Sequence, residues 1–373
     1  MKIFSKFTSP LPVLVVVAAL LAGCERPPDL IGVANPEIPV DSVPDLTRHQ
    51  IFIATTREAS EVTGAFFSSG RAPDLGLASV VVTIPPNHVI AELERPTRLP
   101  PDPRTEFTVI DPVVYSADTA FIAEVSRELA KRPVGQRRLL LFVHGYNNTA
   151  SDAVLRMAQF VEDTGFEGVP VLFTWASAAS ASRYVYDLNS ALVARARIGD
   201  VANILARTGA ESVEIFAHSM GSFLTMEGLV DGAQTGRLAR RASSINHIVL
   251  ASPDIDLDLF RTQLGELPPS IREKMYLLVS ADDGALRASR LIAGGVPRVG
   301  AADAEELEEL GVTVIDLSQI EDSSSGSHAK FAGSPEVVQL LGQGLNRVGR
   351  FGDQGTPGLD QLLAGTPIRV FGN

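Results

Sequence analysis

The chain has 373 residues, 45% of them hydrophobic and 20% charged, which suits one large globular domain or two ordinary ones. Its formal net charge is −12 with no Lys/Arg cluster beyond the first few residues, which argues against nucleic acid as a partner. The single cysteine, Cys24, excludes an intramolecular disulfide and a cysteine-based metal site.

At the N-terminus, Lys2 and Lys6 precede an apolar run from Leu11 to Leu21, too short to span a bilayer comfortably. Leu21-Ala22-Gly23-Cys24 follows and resembles a bacterial lipobox. That resemblance implies a lipoprotein signal peptide over residues 1–23, cleavage before Cys24 and lipidation of its thiol. Several acyl chains would then hold the protein on a membrane, since one chain binds only marginally. Glu25 after the cysteine, by the same resemblance to Gram-negative lipoproteins, points to the outer membrane and its periplasmic face. Residues 24–50, with Pro27, Pro28, Pro36, Pro39 and Pro44, read as an extended tether.

From residue 51 the chain reads as a folded domain that continues to residue 348. Ile51-Phe52-Ile53 and Val80-Val81-Val82 are short β-type runs broken by Gly and Pro, a pattern that predicts antiparallel pairing. After Tyr115 the pattern alternates. A helical segment over 120–131 leads to the apolar run Leu139 to Val143, and helical spacing at Val154, Ala158 and Val161 leads to Val171-Leu172-Phe173. A long helix through Leu188, Leu192, Ile198, Val201 and Leu205 precedes Val213, Ile215 and Phe216. Further strand-like runs fall at Ile248 to Leu250, Tyr276 to Val279 and Val312 to Ile315. Unbroken apolar strands alternating with helices predict an α/β fold with a mostly parallel sheet and helices on both faces. Residues 349–373 are Gly-rich and read as a loosely attached tail.

In such sheets, chemistry is found beyond the carboxyl ends of the strands. There, Ala217-His218-Ser219-Met220-Gly221 matches the strand–turn–helix that lifts a nucleophilic serine clear of the sheet, with alanine in place of the first glycine. Alanine adds one methyl group, a change the turn should tolerate. His144-Gly145-Tyr146 ends an earlier strand and resembles the H-G turn where α/β-hydrolases place a second oxyanion donor; that resemblance implies that the backbone N–H of Tyr146 joins that of Met220 as the oxyanion hole. His144 is expected to stabilise the turn, and His218 is too close to Ser219 in sequence to serve as its base. The Ser219 turn resembles that of the α/β-hydrolases, and the resemblance implies that acid and base follow the serine. Of the two histidines downstream of Ser219, His247 begins a strand and so lies at the wrong end of the sheet. His328, after the last parallel strand, is the expected base. For the acid, Asp283 at the end of the Tyr276 strand is preferred, with Asp282 in reserve. Asp254 and Asp256 form another candidate acid site. Trp175 and Tyr184 could wall a substrate pocket or pack in the core. The six histidines contain no H-x-x-x-H pair and the acidic clusters lack calcium-loop spacing, so neither metal nor cofactor is expected.

Taken together, Thr55-Thr56-Arg57, His144 to Asn148, Phe173-Thr174-Trp175, Ala217 to Gly221, Ser252 to Asp256, Asp282 to Leu286 and His328 resemble the α/β-hydrolase superfamily. More narrowly, they resemble bacterial esterase/lipase-like lipoproteins. The resemblance implies a serine hydrolase of carboxylic esters, with Ser219 as nucleophile, His328 as base and Asp283 as acid. The same triad serves thioesterases, amidases and acyltransferases, and a non-catalytic lipoprotein could keep the fold. The expected partners are a small-molecule or lipid ester and, through Cys24, a membrane. Oligomeric state has no signature in the chain.

Overall fold

The computed structural model describes residues 33–62, 64–321, 327–346 and 366–372. The expected signal segment and Cys24 lie outside the described residues. Ten strands build one sheet: β1 (Thr47–Ala59), β2 (Phe67–Ile84), β3 (Thr108–Tyr115), β4 (Arg138–Val143), β5 (Val169–Thr174), β6 (Ser212–His218), β7 (Ile245–Ala251), β8 (Met275–Val279), β9 (Thr313–Asp316) and β10 (Arg369–Phe371). Their order across the sheet is β10-β9-β8-β7-β6-β4-β5-β1-β2-β3. From β9 through to β1 every neighbour is parallel, whereas β2 and β3 at one edge and β10 at the other are antiparallel.

The principal helices are α1 (Asp118–Ala130), α2 (Ala150–Thr164), α3 (Tyr184–Leu205), α4 (Met220–Gln234), α5 (Leu257–Glu266), α6 (Gly284–Ile292) and α7 (Pro335–Leu345). The period-2 geometry of the strands explains why both sheet faces need cover. Leu139, Leu141 and Val143 of β4 face one core with α1, α3 and α4, while Leu140 and Phe142 face the other with α2 and α7. In that second core Phe216 lies between Phe142, stacked at 5.5 Å, and Phe160 at 4.5 Å. Strands this apolar on both faces form only where helices bury both, hence the mostly parallel sheet expected from sequence. Among the described residues, no helix is long and apolar enough to cross a membrane.

Three differences from the sequence reading have physical causes. First, β1 starts at Thr47, inside the expected tether, because its backbone pairs with β2 from Thr47↔Ile84 onward. Asn35 also donates from Nδ2 to the Pro101 carbonyl at 2.9 Å, so part of the proline-rich segment is attached to the domain. Second, β2 is 18 residues long and runs through Gly70, Pro73 and Gly76, which conceal it in the sequence. Third, Arg369–Phe371, within the expected tail, pairs with β9 and joins the sheet, while residues 349–365 lie outside the described residues.

A buried charge cluster ties the loop after β2 to α2. His88 places Nδ1 2.7 Å from Glu94 Oε2 and Nε2 2.7 Å from Asp163 Oδ1, and both nitrogens donate. Burial disfavours the imidazolium, but the hydrogen bonds to Asp163 and Glu94 outweigh it and raise the pKa to about 9. Gln159 donates to the same Asp163 and to the carbonyl of Ala332, in the turn just beyond His328. Because the folded pKa lies above the ordinary value of 6.5, the stabilisation is complete below pH 6.5 and lost as pH rises through about 9. Urea titrations from pH 6 to pH 10 are expected to show this loss, and His88→Gln should flatten that part of the profile.

Candidate active site

The carboxyl ends of β4, β5, β6, β7, β8 and β9 lie along one edge of the sheet, and the expected site residues follow them. Ser219 sits between β6 and α4 with φ 53° and ψ −124°, a left-handed backbone that a non-glycine residue adopts only under constraint. Its N–H donates to the Ala251 carbonyl at 2.9 Å, and its own carbonyl accepts from Ser222 N at 2.9 Å and Asp254 N at 3.2 Å. Gly221 permits the tight turn, since a Cβ there would lie 2.4 Å from the His144 carbonyl and 2.6 Å from that of Val143. Ala217, by contrast, fits as a buried core residue.

His328 Nε2 lies 3.0 Å from Ser219 Oγ, and its Nδ1 lies 2.8 Å from Asp283 Oδ2. Asp283 is fully buried and also accepts from Leu286 N, so it both caps α6 and holds the imidazole. With the Nδ1 proton on the carboxylate side, Nε2 offers its lone pair to the serine hydroxyl. The backbone N–H groups of Met220, first residue of α4, and of Tyr146 have no protein acceptor among the described residues. An unpaired N–H in the first turn of a helix is a ready donor to a developing anion.

A family model described as "Alpha/beta hydrolase of unknown function (DUF900)" matches residues 117–344. The chain belongs to this family of α/β hydrolases. Among solved structures it is similar to lipase B of Aspergillus fumigatus, with 13% identity over 61% of this chain and TM-score 0.40. That match spans only 57% of the lipase. It is also similar to an esterase of Rhizomucor miehei, with 12% identity over 90% of this chain and 96% of the other, TM-score 0.35. A third similar structure is the hyperthermophilic esterase of the archaeon Pyrobaculum calidifontis, with 11% identity over 62% and 93% of the two chains and TM-score 0.33. No curated protein matches this α/β hydrolase in sequence.

The loop carrying Tyr146 in this α/β hydrolase is held by buried polar groups that sequence reasoning missed. Asp187 of α3, fully buried, accepts from Asn147 N at 3.2 Å, Ser177 Oγ at 2.6 Å and Ala178 N at 2.6 Å. Arg57 of β1, also buried, donates to the carbonyls of Asn148 and Ser177 and to Thr174 Oγ1. Their partners lie far away in the chain, so spacing gave no signal beyond the Thr55-Thr56-Arg57 motif itself.

His144 has the structural role expected. Burial, reinforced by the positive charge of Arg57, pushes its pKa down to about 3, so the ring is neutral. Nδ1–H donates to the Gly145 carbonyl at 2.8 Å, while Nε2 accepts from Trp175 N at 3.1 Å. His218 does not contact the serine hydroxyl; burial and the adjacent His328 hold its pKa well below the usual range. Its Nε2–H donates to the His328 carbonyl at 3.0 Å and fixes the loop that carries the imidazole.

Of the two readings left open for Trp175 and Tyr184, pocket wall or core, burial favours the core. Trp175 is fully buried, stacks on His144 at 5.1 Å and donates from Nε1 to the His144 carbonyl. Its indole packs better against the buried imidazole than it could against solvent. Tyr184 is also buried, and its hydroxyl donates inward to Asp254 Oδ2 at 2.9 Å. Its ring meets Tyr146, the partly exposed aromatic beside the oxyanion position.

The alternative acids are engaged elsewhere. Asp254 is buried with Tyr184, Ser289 and Arg298. Asp282 binds Lys330 Nζ at 2.9 Å and accepts from Ser327 Oγ at 2.6 Å, clasping the two ends of the His328 turn. Asp256 caps α5 through Asp258 N and Leu259 N. Of the calls at this site, only Ser219, His328 and Asp283 come together as one hydrogen-bonded line.

Removal of the Asp187 carboxylate takes the acceptor from the buried Ser177 hydroxyl and from two part-buried backbone N–H groups. Asp187→Ala is expected to cost about 2 kcal/mol or more in denaturant unfolding, each stranded group costing about 1–3 kcal/mol. It should lower turnover of any substrate that uses the Tyr146 N–H.

Proposed function

We propose that this α/β hydrolase is a serine esterase that cleaves carboxylic esters through an acyl-enzyme. The observation that carries the reading is the line Asp283 Oδ2 to His328 Nδ1, 2.8 Å, and His328 Nε2 to Ser219 Oγ, 3.0 Å. A serine hydroxyl is a weak nucleophile until a base takes its proton, and this line supplies base and orienting acid together. As Ser219 Oγ attacks the ester carbonyl, its proton passes to His328 Nε2. The oxyanion is held by the N–H groups of Met220 and Tyr146. His328 then protonates the departing alkoxide, and the alcohol leaves. Water enters, gives its proton to His328 and attacks the acyl group, and collapse returns the proton to Ser219 as the acid departs. Asp283 keeps the imidazole in the required tautomer throughout.

The N-terminal expectation belongs to the same reading. Lipidated Cys24 anchors the enzyme in a bacterial envelope, on the periplasmic face of the outer membrane, with residues 25 onward as the spacer. Support comes from the Leu21-Ala22-Gly23-Cys24 motif alone.

Assayed with p-nitrophenyl esters of increasing chain length, Ser219→Ala and His328→Ala are expected to lower kcat by several orders of magnitude with little change in unfolding midpoint. Asp283→Asn should lose about four orders, because it favours the wrong tautomer. An unchanged rate in His328→Ala would move the base elsewhere. In a bacterial host, Cys24→Ser should shift the protein from the membrane to the soluble fraction; continued membrane retention would contradict the anchor.

A further inference from the structure

At the amino ends of the parallel strands lies a cavity of about 110 Å³. It opens between α3, α4 and the short helix Arg237–Arg241, and its walls include Leu141, Ile198, Leu205, Ile215, Leu229 and Leu238. Its nearest lining residue on β6, Ile215, lies four residues from Ser219, about 13 Å at roughly 3.3 Å per residue, toward the opposite end of the strands from the triad. It is therefore not the acyl pocket of the proposed esterase. Interiors normally pack without voids larger than a water molecule, and an engineered apolar cavity of about 150 Å³ stays dry and takes benzene. At about 110 Å³ this void is smaller than that one, and it suits a slender alkyl chain of a few carbons rather than a ring.

The mouth is not apolar. Arg237 and Arg241 line it with Ser244 and Asn203. Arg237 pairs with Asp231, yet its Nε is buried with no partner. The Arg241 side chain has no acceptor among the described residues, and its backbone carbonyl accepts from Ser244. The nearby ammonium of Lys274 is already committed to the carbonyls of Ala242 and Ile245. The other ionised groups close by, Asp231 and Glu214, are held by Arg237 and by His247 with Asn246. An arginine that lines an apolar cavity and has no side-chain acceptor among the described residues suits an amphiphile with one anionic end.

We propose that this cavity is a second ligand site, which buries the alkyl tail of a short straight-chain monocarboxylate and holds its carboxylate on Arg241. Calorimetric titration of the full-length protein with hexanoate and with 1-hexanol tests it. Hexanoate should bind more tightly than 1-hexanol. Arg241→Gln should weaken hexanoate about ten-fold or more, as loss of a charged hydrogen bond does, and leave 1-hexanol and ester turnover unchanged. Ala202→Leu, which fills the cavity from α3, should abolish both titrations. Failure of hexanoate to bind, equal binding of acid and alcohol, or hexanoate binding that survives either substitution unchanged would overturn the proposal. Arg241→Gln removes a half-exposed side chain, so the test stands even if Ala202→Leu fails to fold.

Discussion

The site depends on one strained residue. Ser219 holds φ 53° at the point where β6 becomes α4, a conformation costing about 1–3 kcal/mol for a residue with a side chain. Four features over-determine it: hydrogen bonds to Ala251, Ser222 and Asp254, and the close approach of Gly221 to the carbonyls of Val143 and His144. The consequence is directional. The same turn that lifts Oγ toward His328 leaves the Met220 N–H at the open end of α4, so the serine hydroxyl and this backbone donor are set by a single backbone bend. A parallel sheet buried on both faces is what makes the bend affordable, because β4 and β7 flank β6 and clamp it.

Around that bend, buried charges are paired and hydrogen-bonded rather than merely present. Asp283 is out of contact with water, and its two oxygens are matched by His328 and by the first turn of α6. Beside it, the Asp282–Lys330 pair grips the His328 turn from both ends, and His218 holds the His328 carbonyl. On the other flank, Arg57 and Asp187 hold the segment that presents Tyr146. Unpaired, the buried members, Asp283, Lys330, Arg57 and Asp187, would each be strongly destabilising. Paired, they fix both sides of the serine, so that little reorganisation is needed as charge develops.

Much of this was legible in the chain. Strands β4 to β9 are short apolar runs between helical stretches, and a residue-type pattern at each carboxyl end marked Ser219, Asp283 and His328. The less legible parts have one cause, partnership over long chain distances. β2 is interrupted by Gly and Pro, yet its pairing with β1 and β3 holds it extended. Arg57, Asp187 and Lys330 look like ordinary surface charges until the fold brings their partners to them. Trp175 read equally as pocket wall or core; a buried, neutral His144, which no spacing announces, decides for the core.

The central claim is that Ser219 attacks and becomes acylated. Intact-mass measurement after exposure to a fluorophosphonate, followed by peptide mapping, tests it without knowledge of the natural ester. The account predicts one adduct per chain, located on Ser219 and absent from Ser219→Ala. An unlabelled native protein, or label on another residue that persists in Ser219→Ala, would contradict it.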